Sequence, residues 1–107
     1  TANVCSPGTD VDINQKLAKK HCNNSASKTF HKDNWVKVEV VVNSNKIIKH
    51  IVEGDTVLTY TNIKIGGDRV PSNYIAKIGE SLGEGYISLQ SEGHPVEFRN
   101  IKVKEIR

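Results

Sequence analysis

The chain has 107 residues, enough for one domain. Lys and Arg number 15 against 12 acidic residues, a net charge of +3 with histidines neutral, and aromatics make up only 6%. Nucleic-acid binders concentrate positive charge on one face and add stacking aromatics, so that class is not favoured; no apolar run approaches the ~20 residues that span a bilayer.

The opening TANVCSPGTDVDIN places a turn at Pro7-Gly8, then alternates through Val11 and Ile13. Asn14-Gln15-Lys16 can reverse the chain into LAKKHC, so residues 10–22 read as a hairpin. The competing reading is a short helix over Lys16 to His21, because Leu, Ala and Lys favour helix. Cys5 and Cys22 are the only thiols. A bridge between them would close a loop of about 18 residues and stabilise by roughly 3 kcal/mol. The alternative is a pair of buried free thiols; the polar surroundings favour the bridge. His21 beside Cys22 makes no recognisable zinc spacing. The chain begins at Thr1, has no methionine and shows no charged start followed by an apolar stretch, so it reads as a processed or excised piece.

After the polar NNSASKTF, a loop or edge strand, NWVKVEVVV is the clearest strand. Val36, Val38, Val40 and Val42 share one face; Trp35, Lys37, Glu39 and Val41 share the other. NSN turns the chain into KIIKHIVEG, with Ile48, His50 and Val52 on one side. Gly54-Asp55 turns it again into TVLTYTNIKI, one or two short strands of an antiparallel meander. Residues 66–84 are a long loop with a helical turn near Ile75 to Ile78. GYISLQS and VEFRNIKVKEI read as two final strands joined by EGHP. The whole is a single all-β domain over 1–107, a sandwich or jelly roll of about seven or eight short strands. VEVVV and KIIKHIV are apolar on both faces and so require cover on both.

A polar cluster interrupts the last two strands: Gln90, Glu92, His94 and Arg99. His94 reads as a base or ligand on a sheet-edge turn, or as a turn histidine before Pro95 held by local hydrogen bonds. Glu92 and Arg99 could equally form an exposed cross-strand pair worth ~0–1 kcal/mol. Gln90 shares a face with Tyr86 and Ser88. His50, between Ile48 and Val52, is either catalytic or a satisfied structural histidine. Trp35 offers a sugar-stacking face or simple packing, and Glu39 shares its side of the strand.

The motifs W-x-x-V-x-V-x-V from Trp35, I-x-H-x-V-x-G-x-x-V-L-x-Y from Ile48 to Tyr60, and G-x-I-S-L-Q-S-E-G-H-P-V-E-F-R-N-I over 85–101 resemble the 3-keto-disaccharide hydrolase domain family. The resemblance implies an antiparallel concanavalin A-like jelly roll. Family domains are roughly twice this length, so the chain resembles the C-terminal half. The expected partner is the N-terminal half of the same domain, as a second chain or a missing segment. Many relatives carry Asn-Gly where this chain has Glu53-Gly54.

The implied activity is cleavage of glycosides already oxidised at C3, by C2 proton abstraction, elimination and hydration. That chemistry needs a base of suitable pKa and a group to steady the enolate oxygen. His94 or Glu92 is the expected base and Arg99 the expected cation; Gln90, His50, Trp35 and Glu39 are the expected sugar contacts. No cofactor is implied and no metal ligand set is visible, although a divalent cation could steady the enolate. The partner is carbohydrate, with no nucleic acid and no membrane span, and the compartment a bacterial periplasm or the cell exterior. The rival readings are a non-catalytic carbohydrate-binding module and a structural β-sandwich domain.

Overall fold

The computed structural model describes residues 1–44, 46–91 and 93–106. Asn45 of the predicted NSN turn, Arg107 and the candidate base Glu92 lie outside the described residues. The described chain is all-β, in two antiparallel sheets. Its strands are β1 (Val4–Cys5), β2 (Thr9–Ile13), β3 (Lys16–Leu17), β4 (Cys22–Asn23), β5 (Val38–Asn43), β6 (Ile47–Val52) and β7 (Asp55–Ile65). The small sheet is β1-β4 and the large one runs β3-β2-β7-β6-β5.

Local chemistry explains the hairpins. Ile13 pairs with Lys16, and the two residues between them, Asn14 and Gln15, both take positive φ, 53° and 64°. That is the backbone twist a two-residue hairpin turn demands. A hairpin therefore forms in place of the short helix, but its return strand is only Lys16–Leu17, and Cys22 pairs with Cys5 in the small sheet. Val52 pairs with Asp55 around Glu53 (φ 48°) and Gly54 (φ 87°). Glu53 occupies a conformation that favours Asn or Gly, and a reciprocal grip compensates: its backbone N–H donates to the Lys37 carbonyl at 2.9 Å, while its Oε1 accepts from the Lys37 N–H at 2.6 Å. A Cβ at Gly54 would meet nothing within 4 Å, so Gly54→Ala tests backbone strain alone. It is expected to cost about 1–2 kcal/mol, read as a lower urea midpoint at unchanged m-value.

The core is the inner face of the large sheet. Val4, Val11, Ile48, Leu58 and Tyr60 form one buried cluster, with Ile13, Ala18 and Ile63 packed against it. Val4 belongs to the small sheet, so the two sheets are the layers that enclose this core. Cys5 and Cys22 are register partners across the small sheet and are joined by a disulfide with an S–S distance of 2.03 Å. The bridge holds the cover layer together.

That cover ends before the sheet does. Val38, Val40 and Val42 stand directly opposite Val52, His50 and Ile48 in the β5–β6 ladder, and so share the inner face. Yet they remain 45%, 39% and 43% exposed, against 3%, 7% and 8% for their partners. Among the described residues, this face of β5 is therefore covered less than that of β6.

The expected strands over 85–91 and 96–106 are not formed among the described residues. Ile87, Leu89, Val96, Phe98, Ile101 and Val103 are exposed along this segment. Alternation alone does not make a strand: without a neighbouring ladder, a lone extended segment leaves its backbone groups to water. Gln90 consequently does not stand on a strand face with Tyr86 and Ser88. The other adjustments are small. TVLTYTNIKI, with Asp55 before it, is one strand of 11 residues, the leading strand is confined to Val38–Asn43, and the helical turn is a 3-10 helix over Ser72–Lys77.

Candidate functional site

His50 projects from β6 into the core and is buried. Its Nδ1 lies 2.8 Å from the Ala2 carbonyl oxygen, and its Nε2 lies 3.0 Å from the Tyr60 hydroxyl. A carbonyl can only accept, so Nδ1 must carry the proton. In the neutral ring Nε2 then accepts, and the Tyr60 hydroxyl donates to it. Burial pushes the Tyr60 phenol up to about 12, which keeps that donor protonated. The two rings meet edge to face, centroids 5.3 Å apart. Both ring nitrogens are thus committed, and the arrangement clamps the N-terminal segment onto the large sheet. Tyr60 was not singled out as a site residue by sequence reasoning. The signal was available: His50 and Tyr60 are both at inner-face positions of adjacent strands around the Glu53-Gly54 turn.

Tyr60→Phe leaves the buried Nε2 without its donor and is expected to cost about 1–3 kcal/mol. A second consequence separates this from simple loss of packing. Folded Tyr60 has its pKa raised from 10.0 to about 12. The folded state therefore holds a proton that the unfolded state releases. Stability from this group is complete below pH 10 and falls as pH rises towards 12. Urea melts across that window should show the alkaline decline in wild type and a shallower one in Tyr60→Phe.

The structure brings Arg99 to Trp35. The guanidinium carbon lies 3.8 Å from the indole ring centroid, a cation–π contact. Trp35 is half exposed just before β5. Sequence reasoning set Arg99 against Glu92, but with Glu92 outside the described residues the partner found is the tryptophan. Glu39 is exposed on β5 and its Oε1 lies 2.8 Å from Lys37 Nζ. This hydrogen bond and the carboxylate's charge raise the Lys37 pKa above its ordinary value. His94 and Gln90 are exposed on the strandless C-terminal segment. No hydrogen bond or ion pair among the described residues joins His94 to Arg99.

An open groove of about 590 Å³ runs beside the β6–β7 turn, lined among others by Lys28, Phe30, Glu53, Asp55 and Thr56. It is in the size range of small-ligand sites. The Ala26 N–H donates to the Val57 carbonyl at 2.8 Å and ties the loop to β7 at that point. Sequence reasoning missed these residues because NNSASKTF has no periodicity to betray a docked loop. Both thiols are consumed by the bridge. Among the described residues no three His, Cys, Asp or Glu side chains gather as a metal site, and no helix is long and apolar enough to cross a membrane.

Residues 2–104 match the family model described as the 3-keto-alpha-glucoside-1,2-lyase-like domain. The match spans all seven strands, the 3-10 helix and almost all of the exposed C-terminal segment. No curated protein and no solved structure is matched by the chain.

Proposed function

Because the chain belongs to the 3-keto-alpha-glucoside-1,2-lyase-like domain family, we propose that it takes part in the cleavage of glycosides carrying a ketone at C3. The family match over residues 2–104 is the observation that carries this reading. The C3 ketone acidifies the C2 hydrogen. A base takes that proton and the electron pair moves into a C2–C3 enolate. Collapse of the enolate restores the ketone, forms a C1–C2 double bond and breaks the bond from C1 to the leaving oxygen, which is protonated. Water then adds at C1 while C2 regains a proton.

In this proposal His94 or Glu92 is the base, and Arg99 steadies the enolate oxygen. Arg99 already lies on the indole of Trp35, so a sugar ring seated beside Trp35 would meet the cation at close range. Gln90 and Glu39 are proposed as further sugar contacts. His50, with both ring nitrogens engaged, shapes the sheet beneath the sugar rather than touching it. The domain is completed by more polypeptide of the same fold, acting as its N-terminal half. Support comes from the uncovered valines of β5 and the exposed apolar residues after Leu82. The disulfide suits a periplasmic or extracellular location.

A second reading, a binding module without catalysis, is favoured by the open groove lined by Phe30, Glu53 and Asp55. Incubation of the protein with 3-keto-trehalose and with trehalose separates the two. Cleavage of the keto sugar alone supports the enzyme. Binding of either sugar without cleavage supports the module, and failure to bind both removes the carbohydrate reading.

A further inference from the structure

β5 is the outer strand of the large sheet, and among the described residues nothing pairs with its free edge. The direction of its backbone groups follows from one contact. The Lys37 N–H and carbonyl both face Glu53, at the β6 side. The β5–β6 register then runs without a bulge. Backbone groups alternate along a strand, so those of Glu39 and Val41 face β6 while those of Val38, Val40 and Val42 face outward; Val36 and Lys37 lead into the strand. Neither proline nor a bulge blunts this edge; the charges it carries are Lys37 and Glu39, which already pair within the chain at 2.8 Å.

We propose that this edge pairs with the same edge of a second copy of the chain, antiparallel and centred on Val38. Charge selects that register. The stretch Val36-Lys37-Val38-Glu39-Val40 is complementary to its own reverse. With Val38 facing Val38 of the second copy, Val36 meets Val40 in hydrogen-bonded pairs. Lys37 meets Glu39 twice, in the non-hydrogen-bonded positions where side chains approach most closely. A slip of one pairing in either direction sets Glu39 against Glu39 or Lys37 against Lys37. The contact is isologous, so it closes at two copies. The two large sheets become one continuous sheet, and the valines of both edges become neighbours on its inner face. This inference does not depend on the proposed activity.

The test is analytical ultracentrifugation of the full chain over a concentration series. Wild type should show a concentration-dependent dimer. Lys37→Glu and Glu39→Lys each set like charges opposite one another and should each weaken association on the order of tenfold or more. Both side chains are exposed, so the reversals leave the core intact, which circular dichroism checks. Mixing the two single variants should restore a dimer of one copy of each, as should the double reversal on its own. A wild type that stays monomeric overturns the proposal, since another segment then holds the edge or nothing does. A dimer indifferent to both reversals overturns it equally.

Discussion

His94→Ala is expected to lower kcat/KM on a 3-keto-glycoside by about 10²- to 10⁴-fold, the usual contribution of a positioned general base. The loss should fall on kcat, because the proposed role of His94 is on the C2 proton rather than in binding. Stability should hardly change. His94 is exposed, outside any strand, and joined to no buried group among the described residues. A variant that folds as wild type, binds the keto sugar and no longer eliminates is therefore the expected outcome. Unchanged turnover would take His94 out of the chemistry and leave Glu92 as the base. Arg99→Ala makes a useful companion, since it also uncovers the indole of Trp35. A fall in kcat with a rise in tryptophan accessibility would tie cation and platform together.

Removing the bridge should produce the largest loss of stability. Cys5 and Cys22 are separated by 17 positions, and releasing a loop of that size gives the unfolded chain back roughly 3 kcal/mol of conformational freedom. The bridge also holds β1 to β4, a pairing of only two residues per strand. Such a pair does not persist on its own in water. Its loss would loosen Val4 from the core and Ala2 from His50. Cys5→Ser/Cys22→Ser should thus unfold at markedly lower urea, with hydrogen exchange rising first in β1, β4 and the N-terminal segment. A double variant as stable as wild type would show that the small sheet is held by other contacts.

The legible parts of the molecule were those governed by neighbours in sequence. The β6–β7 hairpin follows from Gly54 and the alternation on each side of it, and the β2–β3 hairpin from a short polar reversal between alternating segments. The bridge could be read because the chain has two thiols and no more. Long-range contacts were not legible. Nothing in the first three residues announces that the Ala2 carbonyl will meet His50, and nothing in Trp35 announces Arg99. The C-terminal segment shows the limit most clearly. Its alternation is that of a strand, but a strand exists only through its partner, and no ladder forms there among the described residues, with Ile87, Phe98 and Ile101 left exposed. Val38, Val40 and Val42 are likewise left partly exposed.

The proposed substrate is a 3-keto-glycoside, and the residue roles depend on the elimination route. The direct measurement is to run the cleavage in D₂O and examine C2 of the released 3-keto sugar by NMR, beside preformed product incubated under the same conditions. Elimination followed by hydration predicts one deuterium at C2 of the enzymatic product and far less in the incubated control. A product formed as fast but bearing hydrogen at C2 would mean direct displacement at C1, and would contradict the account.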